Sequence, residues 1–126
     1  MKTVIIIFAI IIIILTFDFF TISFFKNETE YYNNEISNII ENTNKGYYFE
    51  AEEQMEDLNK HWLKKRKIWN MLCDHSEVEE ISILLCTSTS ALEHQKYFTC
   101  VTALKNLDFT IEFAGDRYAM LVDNIS

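Results

Sequence analysis

Hydrophobic and polar positions change character sharply at Lys26. From Val4 to Phe25 the run VIIIFAIIIIILTFDFFTISFF carries one charged residue, Asp18. As a helix rising about 1.5 Å per residue it would cover about 33 Å, close to the roughly 30 Å of bilayer hydrocarbon. Beyond it, apolar residues recur at steps of three and four, the spacing of one buried helical face. Tyr32, Ile36, Ile39 and Ile40 predict a first helix over 28–45, with Gly46 placed as its C-terminal cap. Tyr48, Ala51, Met55, Leu58, Trp62, Trp69 and Leu72 predict a second over 47–73, its seam broken only by Lys65. Val78, Ile81, Leu85, Ser88 and Leu92 predict a third, entered through a turn at Asp74, His75 and Ser76, with Ser76 and Glu79 as a capping box. Its centre, CTSTS, is poor helix material. Tyr97, Cys100, Leu104, Leu107, Ile111 and Ala114 predict a fourth, ending at Gly115 after a turn at His94–Lys96; Tyr118, Met120, Leu121 and Ile125 would dock the tail.

Leu107, Phe109, Ile111 and Phe113 also alternate as a strand would, but a lone strand has nothing to pair with. The chain has no proline and two glycines, where average usage would supply about a dozen of the two together, so the turns of an all-β fold lack their residues. The expected fold is therefore all-α: a single N-terminal transmembrane helix, residues 1–25, followed by an antiparallel bundle of about four helices, residues 26–126. With neither Gly nor Pro between residues 4 and 45, the first bundle helix can continue the span outward.

A cleaved secretory signal is the competing reading of the apolar run, since Lys2 precedes the block Val4–Leu15. Its exit argues against cleavage, because Thr21 and Ser23 sit among Phe17, Phe19, Phe20, Phe24 and Phe25 with no helix breaker. Counting cations near each end, Lys2 and the terminal amine against Lys26, orients the chain N-terminus inside and bundle outside the cell membrane. An acid within a span is a candidate functional residue, and Asp18 would protonate, reach toward the headgroups or meet a partner helix.

Formal charge is −8, all of it in the part after residue 25 because Lys2 and Asp18 cancel, so an overall basic nucleic-acid footprint is absent. Three cysteines, Cys73, Cys86 and Cys100, without CxxC spacing specify neither a disulfide framework nor a zinc knuckle. His61 and His75 would stand about 21 Å apart along one helix, too far to share an ion, and neither HExxH nor Glu-x-x-His occurs. No nucleophile elbow, phosphate loop or dinucleotide fingerprint is present either. The expectation is a protein with no catalytic residues, metal or cofactor. One charged feature stands out: Lys60, Lys64, Lys65, Arg66 and Lys67. If the second helix descends beside the first, residue 64 returns to the height of residue 28, and these cations face the bilayer surface or a partner; the alternative is pairing with nearby acids or a solvated face.

The run HWLKKRKIWNMLCDHSEVEEI around Trp62 to Ile81, with the MKTVIII start and the closing MLVDNIS, resembles a family of small membrane-anchored proteins found mainly in clostridia and relatives, domain of unknown function 4363. Trp62, Trp69, Asp74, His75 and Glu77 carry the resemblance most specifically, while CTSTS and DFTIEF depart from it. The resemblance implies a short N-terminal anchor, a helical extracytoplasmic domain, no catalytic assignment, and a setting beside multi-pass membrane proteins. Two functions fit. One is a non-enzymatic, single-pass accessory protein of the bacterial envelope whose partners are the lipid bilayer and a multi-pass membrane protein. The other is an extracytoplasmic sensory or ligand-binding bundle with a pocket lined by Trp62 and Trp69. Oligomeric state is open.

Overall fold

In the computed structural model, which describes the backbone of residues 1–125 and side-chain surroundings through Met120, four helices follow one another: α1 (Lys2–Asn44), α2 (Tyr48–Leu72), α3 (His75–Glu93) and α4 (Tyr97–Ile125). No strand occurs among the described residues. α1 is unbroken through Lys26, so the apolar run and the first bundle helix are one rod of 43 residues, about 64 Å long. Its first part is bare. Every large apolar side chain from Val4 to Leu15 is exposed, and α1 is the one described helix long and apolar enough to cross a membrane.

The bundle closes as a ring in which α1 and α3 each pack against α2 and α4. Each helix turns one seam inward: Tyr32, Ile36 and Ile39 from α1; Met55, Leu58, Trp62 and Trp69 from α2; Val78, Ile81 and Leu85 from α3; Cys100, Leu104, Leu107 and Ile111 from α4. At roughly 1.5–3 kcal/mol per buried large side chain, these seams supply the drive to fold that individual helices of marginal propensity lack. The strand-like alternation in α4 resolves on this basis, for Leu107 and Ile111 point in while Phe109 and Phe113 point out.

Helix ends show local chemistry at work. At the top of α1, Gly46 adopts φ +85; its N–H reaches the Thr43 carbonyl at 3.2 Å and that of Tyr47 reaches Asn42 at 2.8 Å, the paired bonds of a Schellman cap. α3 closes the same way, with Lys96 N–H on Ala91 at 2.7 Å and Gln95 N–H on Leu92 at 3.1 Å, but here Gln95 takes the left-handed φ of 61. Tyr48 and Tyr97, opening α2 and α4, stack at 4.1 Å across this end of the bundle.

Two expectations are corrected. The capping box at Ser76 does not form: α3 begins at His75 with Asp74 as its N-cap, and Ser76 is already helical. Asp74 itself caps through its backbone oxygen, which accepts Glu77 N–H at 3.1 Å and Val78 N–H at 3.3 Å. Nor does α4 stop at Gly115. It runs through to Ile125, because the glycine lies in the helix, where a Cβ would stand 3.4 Å from Thr29 Oγ1 and 3.7 Å from Phe25 Cβ. Gly115 sits at the α1–α4 contact and not at a helix end. The CTSTS stretch stays helical because Ser88 and Thr89 hydroxyls donate back to the Leu85 carbonyl at 3.0 and 2.7 Å, leaving neither group buried without a partner.

Candidate functional site

At its lower end, where α1 enters the apolar run, the bundle holds its densest set of aromatic and charged side chains. Trp69 is fully buried and meets Phe24 and Phe25 edge-on at ring separations of 5.8 and 5.3 Å, while Phe25 also meets Tyr118 of α4 at 5.3 Å. Directly above lies Glu28, 3% exposed. One carboxylate oxygen accepts the Trp69 Nε1–H at 2.9 Å, and the other stands 2.6 Å from His61 Nε2. Tyr31 stacks on the His61 ring at 3.7 Å, and Tyr32 approaches it edge-on at 5.5 Å. Burial, then the neighbouring Glu28, pushes the Tyr32 phenol far above its usual range, and its hydroxyl is buried without a hydrogen-bond partner. A carboxyl group held this way has both oxygens engaged by α2, one by the Trp69 N–H and one by the His61 ring, which ties α1 to α2 in a single register.

Glu28 and His61 form the principal polar contact that the sequence reading did not single out. The signal was present. Continued backward from Tyr32, the α1 seam lands on Glu28 and then Phe25 and Thr21, and an acid on a buried seam demands a partner. His61, adjoining the seam residue Trp62, is that partner.

The family-resembling residues lie at the same end. Trp62 is buried, tilts against Trp69 at 6.0 Å and donates its Nε1–H to Ser82 Oγ of α3 at 3.0 Å. Glu77, at the start of α3, pairs with Arg117 of α4 and lies beside Cys73. Burial, followed by the Glu77 carboxylate, raises the Cys73 thiol to about 12; burial alone raises Cys100 to about 11. Asp74 and His75 are exposed at the α2–α3 corner. The two tryptophans do not line one pocket: Trp62 edges a groove of about 420 Å³ between α2 and α3, whereas Trp69 is sealed in the core.

The basic cluster sits low on α2. His61 lies opposite Tyr31 and Tyr32, and Trp69 opposite Phe24 and Phe25, so Lys64 to Lys67 fall at about the height of Lys26 to Glu30 on α1. Lys60 pairs with Glu56 at 3.3 Å, both exposed. Lys64, Arg66 and Lys67 are exposed and Lys65 half-buried, and none of these four forms an ion pair among the described residues. Asp18 is half-buried on α1 within the apolar run. No group of three or more His, Cys, Asp or Glu gathers in metal-binding geometry among the described residues.

Comparison with curated proteins and with solved structures gives no match. A family model does match, over residues 19–125, so it takes in the bundle helices, the Glu28 contact and the α2–α3 corner together. The chain belongs to the family described as domain of unknown function DUF4363.

Proposed function

We propose that this protein is a non-enzymatic, single-pass accessory protein of the bacterial cell envelope, anchored by residues 4–25 with its N-terminus inside and its bundle outside, where it engages a multi-pass membrane protein. The observation that carries the reading is the outward face of α4. Phe98, Phe109 and Phe113 are 87%, 69% and 54% exposed, Phe109 and Phe113 stack on each other at 6.1 Å, and Met120 continues the row toward the apolar run of α1. Scattered apolar side chains are ordinary on a surface, but a row of aromatics along one helix, leading down to an exposed membrane-length segment, is the form of a contact surface. It borders Asp108, whose carboxyl is raised by burial and held by Asn33 at 3.1 Å. The unbroken course of α1 from the apolar run into the bundle supports this reading, since it would hold the row at a set height above the bilayer, as a partner anchored in the same plane requires. The cations Lys64, Lys65, Arg66 and Lys67, which form no ion pair among the described residues and lie level with Lys26, support a bundle seated at the headgroups, at about 1 kcal/mol per cation near an anionic surface.

A photoreactive side chain at Phe109, introduced into the full chain in native membranes, tests this. The expected product is one cross-linked adduct with an integral membrane protein. Absence of an adduct from Phe98, Phe109 and Phe113 alike, with turnover of a substrate by the purified chain, would overturn it.

A further inference from the structure

Between α1 and α4, at the foot of the bundle, runs a groove of about 280 Å³. Ile22, Phe25 and Ala119 form its apolar walls, and Gly115 lines it without a side chain; a Cβ there would lie at ordinary contact distance, 3.4 Å from Thr29 Oγ1, while a side chain as large as leucine would take up groove space. Three charged residues edge it: Lys26, Glu30 and Asp116. All three are exposed. Lys26 and Glu30 are one helical turn apart and suited to pair, yet neither they nor Asp116 form an ion pair among the described residues.

We infer that this groove is a phospholipid site selective for a zwitterionic, amine-bearing headgroup of the phosphoethanolamine type. The inference rests on the membrane anchor proposed above. If the span is Val4–Phe25, Ile22 and Phe25 lie at the edge of the hydrocarbon, and Lys26 to Glu30 rise about 6 Å, the depth of one headgroup layer. The order of charges matches the ligand. A phosphate emerging from the hydrocarbon meets Lys26 first, and the ammonium beyond it meets Glu30 one turn higher; Asp116, set across the groove at about the height of Asn27 by contact of Tyr118 with Phe25, lies between the two levels, where a headgroup leaning across the groove brings its ammonium. Two carboxylates and one ammonium suit a headgroup with its own cation and repel one bearing only a phosphate. A primary ammonium also donates hydrogen bonds to carboxylates, which a quaternary one cannot. One acyl chain would descend along Ile22 and Ala119 into the bilayer, with the headgroup lying over Gly115.

The test places the full chain in nanodiscs containing equal parts of phosphatidylethanolamine, phosphatidylglycerol and phosphatidylcholine of identical acyl chains, and reads retained lipid by native mass spectrometry. Phosphatidylethanolamine is expected to be retained about tenfold over phosphatidylglycerol. The exposed double variant Glu30→Gln/Asp116→Asn should lose that preference with helicity unchanged, and Gly115→Leu should reduce all retained lipid. Equal retention of the lipids by the wild-type chain, preference for phosphatidylglycerol, or an unaltered preference in the double variant would each refute the site. A chain that inserts without discrimination fails here alone; a chain that stays out of the nanodisc overturns the anchor and the site with it.

Discussion

Removing the Glu28 carboxylate should be among the most damaging single changes outside the apolar seams. In Glu28→Ala the Trp69 N–H, inside the core, and His61, packed under Tyr31, both lose their acceptor. A hydrogen bond to a charged group contributes about 1.5–3 kcal/mol, and removing one member of a buried, bonded pair costs about 3–5 kcal/mol. Expected destabilisation is therefore about 3–5 kcal/mol. At about 4–8 °C per kcal/mol for a domain of this size, the melting midpoint should fall by at least about 12 °C. Glu28→Gln keeps an acceptor for Trp69 and similar volume, so about 1–2 kcal/mol is expected there. Glu53→Ala, at an exposed position, should move the midpoint only slightly, within about 0.5 kcal/mol. Circular dichroism at 222 nm during thermal unfolding in mild detergent reads all three. A Glu28→Ala midpoint as close to wild type as that of Glu53→Ala would refute the view that this carboxylate locks α1 to α2.

Gln95 holds a left-handed backbone, which disfavours a side chain by roughly 1–2 kcal/mol, so Gln95→Gly should stabilise by about 1 kcal/mol while Gln95→Ala should not, in the same melting assay. With its pKa near 12, the Cys73 thiol is about 10⁻⁴ ionised at pH 8, and with Cys100 near 11 it should react with maleimide far more slowly than exposed Cys86, as peptide mapping of a labelling time course would record. Because both folded thiols titrate above the unfolded value of 9.0, the unfolded chain sheds protons that the folded chain keeps; stability should fall as pH rises from 9 to about 11, and less steeply in Cys73→Ser/Cys100→Ala. Phe109→Ser/Phe113→Ser should leave the melting midpoint within a few degrees of wild type yet abolish cross-linking from Phe98 to a membrane partner.

The helices were legible because their seams obey one rule: Ala51, Met55, Leu58 and Trp62, or Leu104, Leu107 and Ile111, recur at steps of three and four and are all buried. Where reading stopped short, a residue had two possible uses. Gly115 suits a helix end as well as a helix interior facing a neighbour, and only the course of α4 past it shows which applies. Ser76 followed by Glu79 satisfies a capping pattern, but Asp74 lies two residues earlier in extended geometry and starts the helix first. The Glu28–His61–Trp69 contact joins residues 33 and 41 positions apart, a distance that no local spacing encodes. Trp62, Trp69 and Glu77, which carry the family resemblance, hold the foot of the bundle together through Ser82, Glu28 and Arg117.

Cys86 offers a native probe of the membrane arrangement, being exposed on α3 of the bundle. In a Cys73→Ser/Cys100→Ala background, intact cells expressing the full chain are treated with a membrane-impermeant maleimide, and the extent of labelling is compared with that in lysed cells. For an anchor with its N-terminus inside and its bundle outside, Cys86 is labelled equally in both, and the chain stays with the membrane through alkaline extraction. Labelling only after lysis, or release of the chain by alkali, would contradict that arrangement.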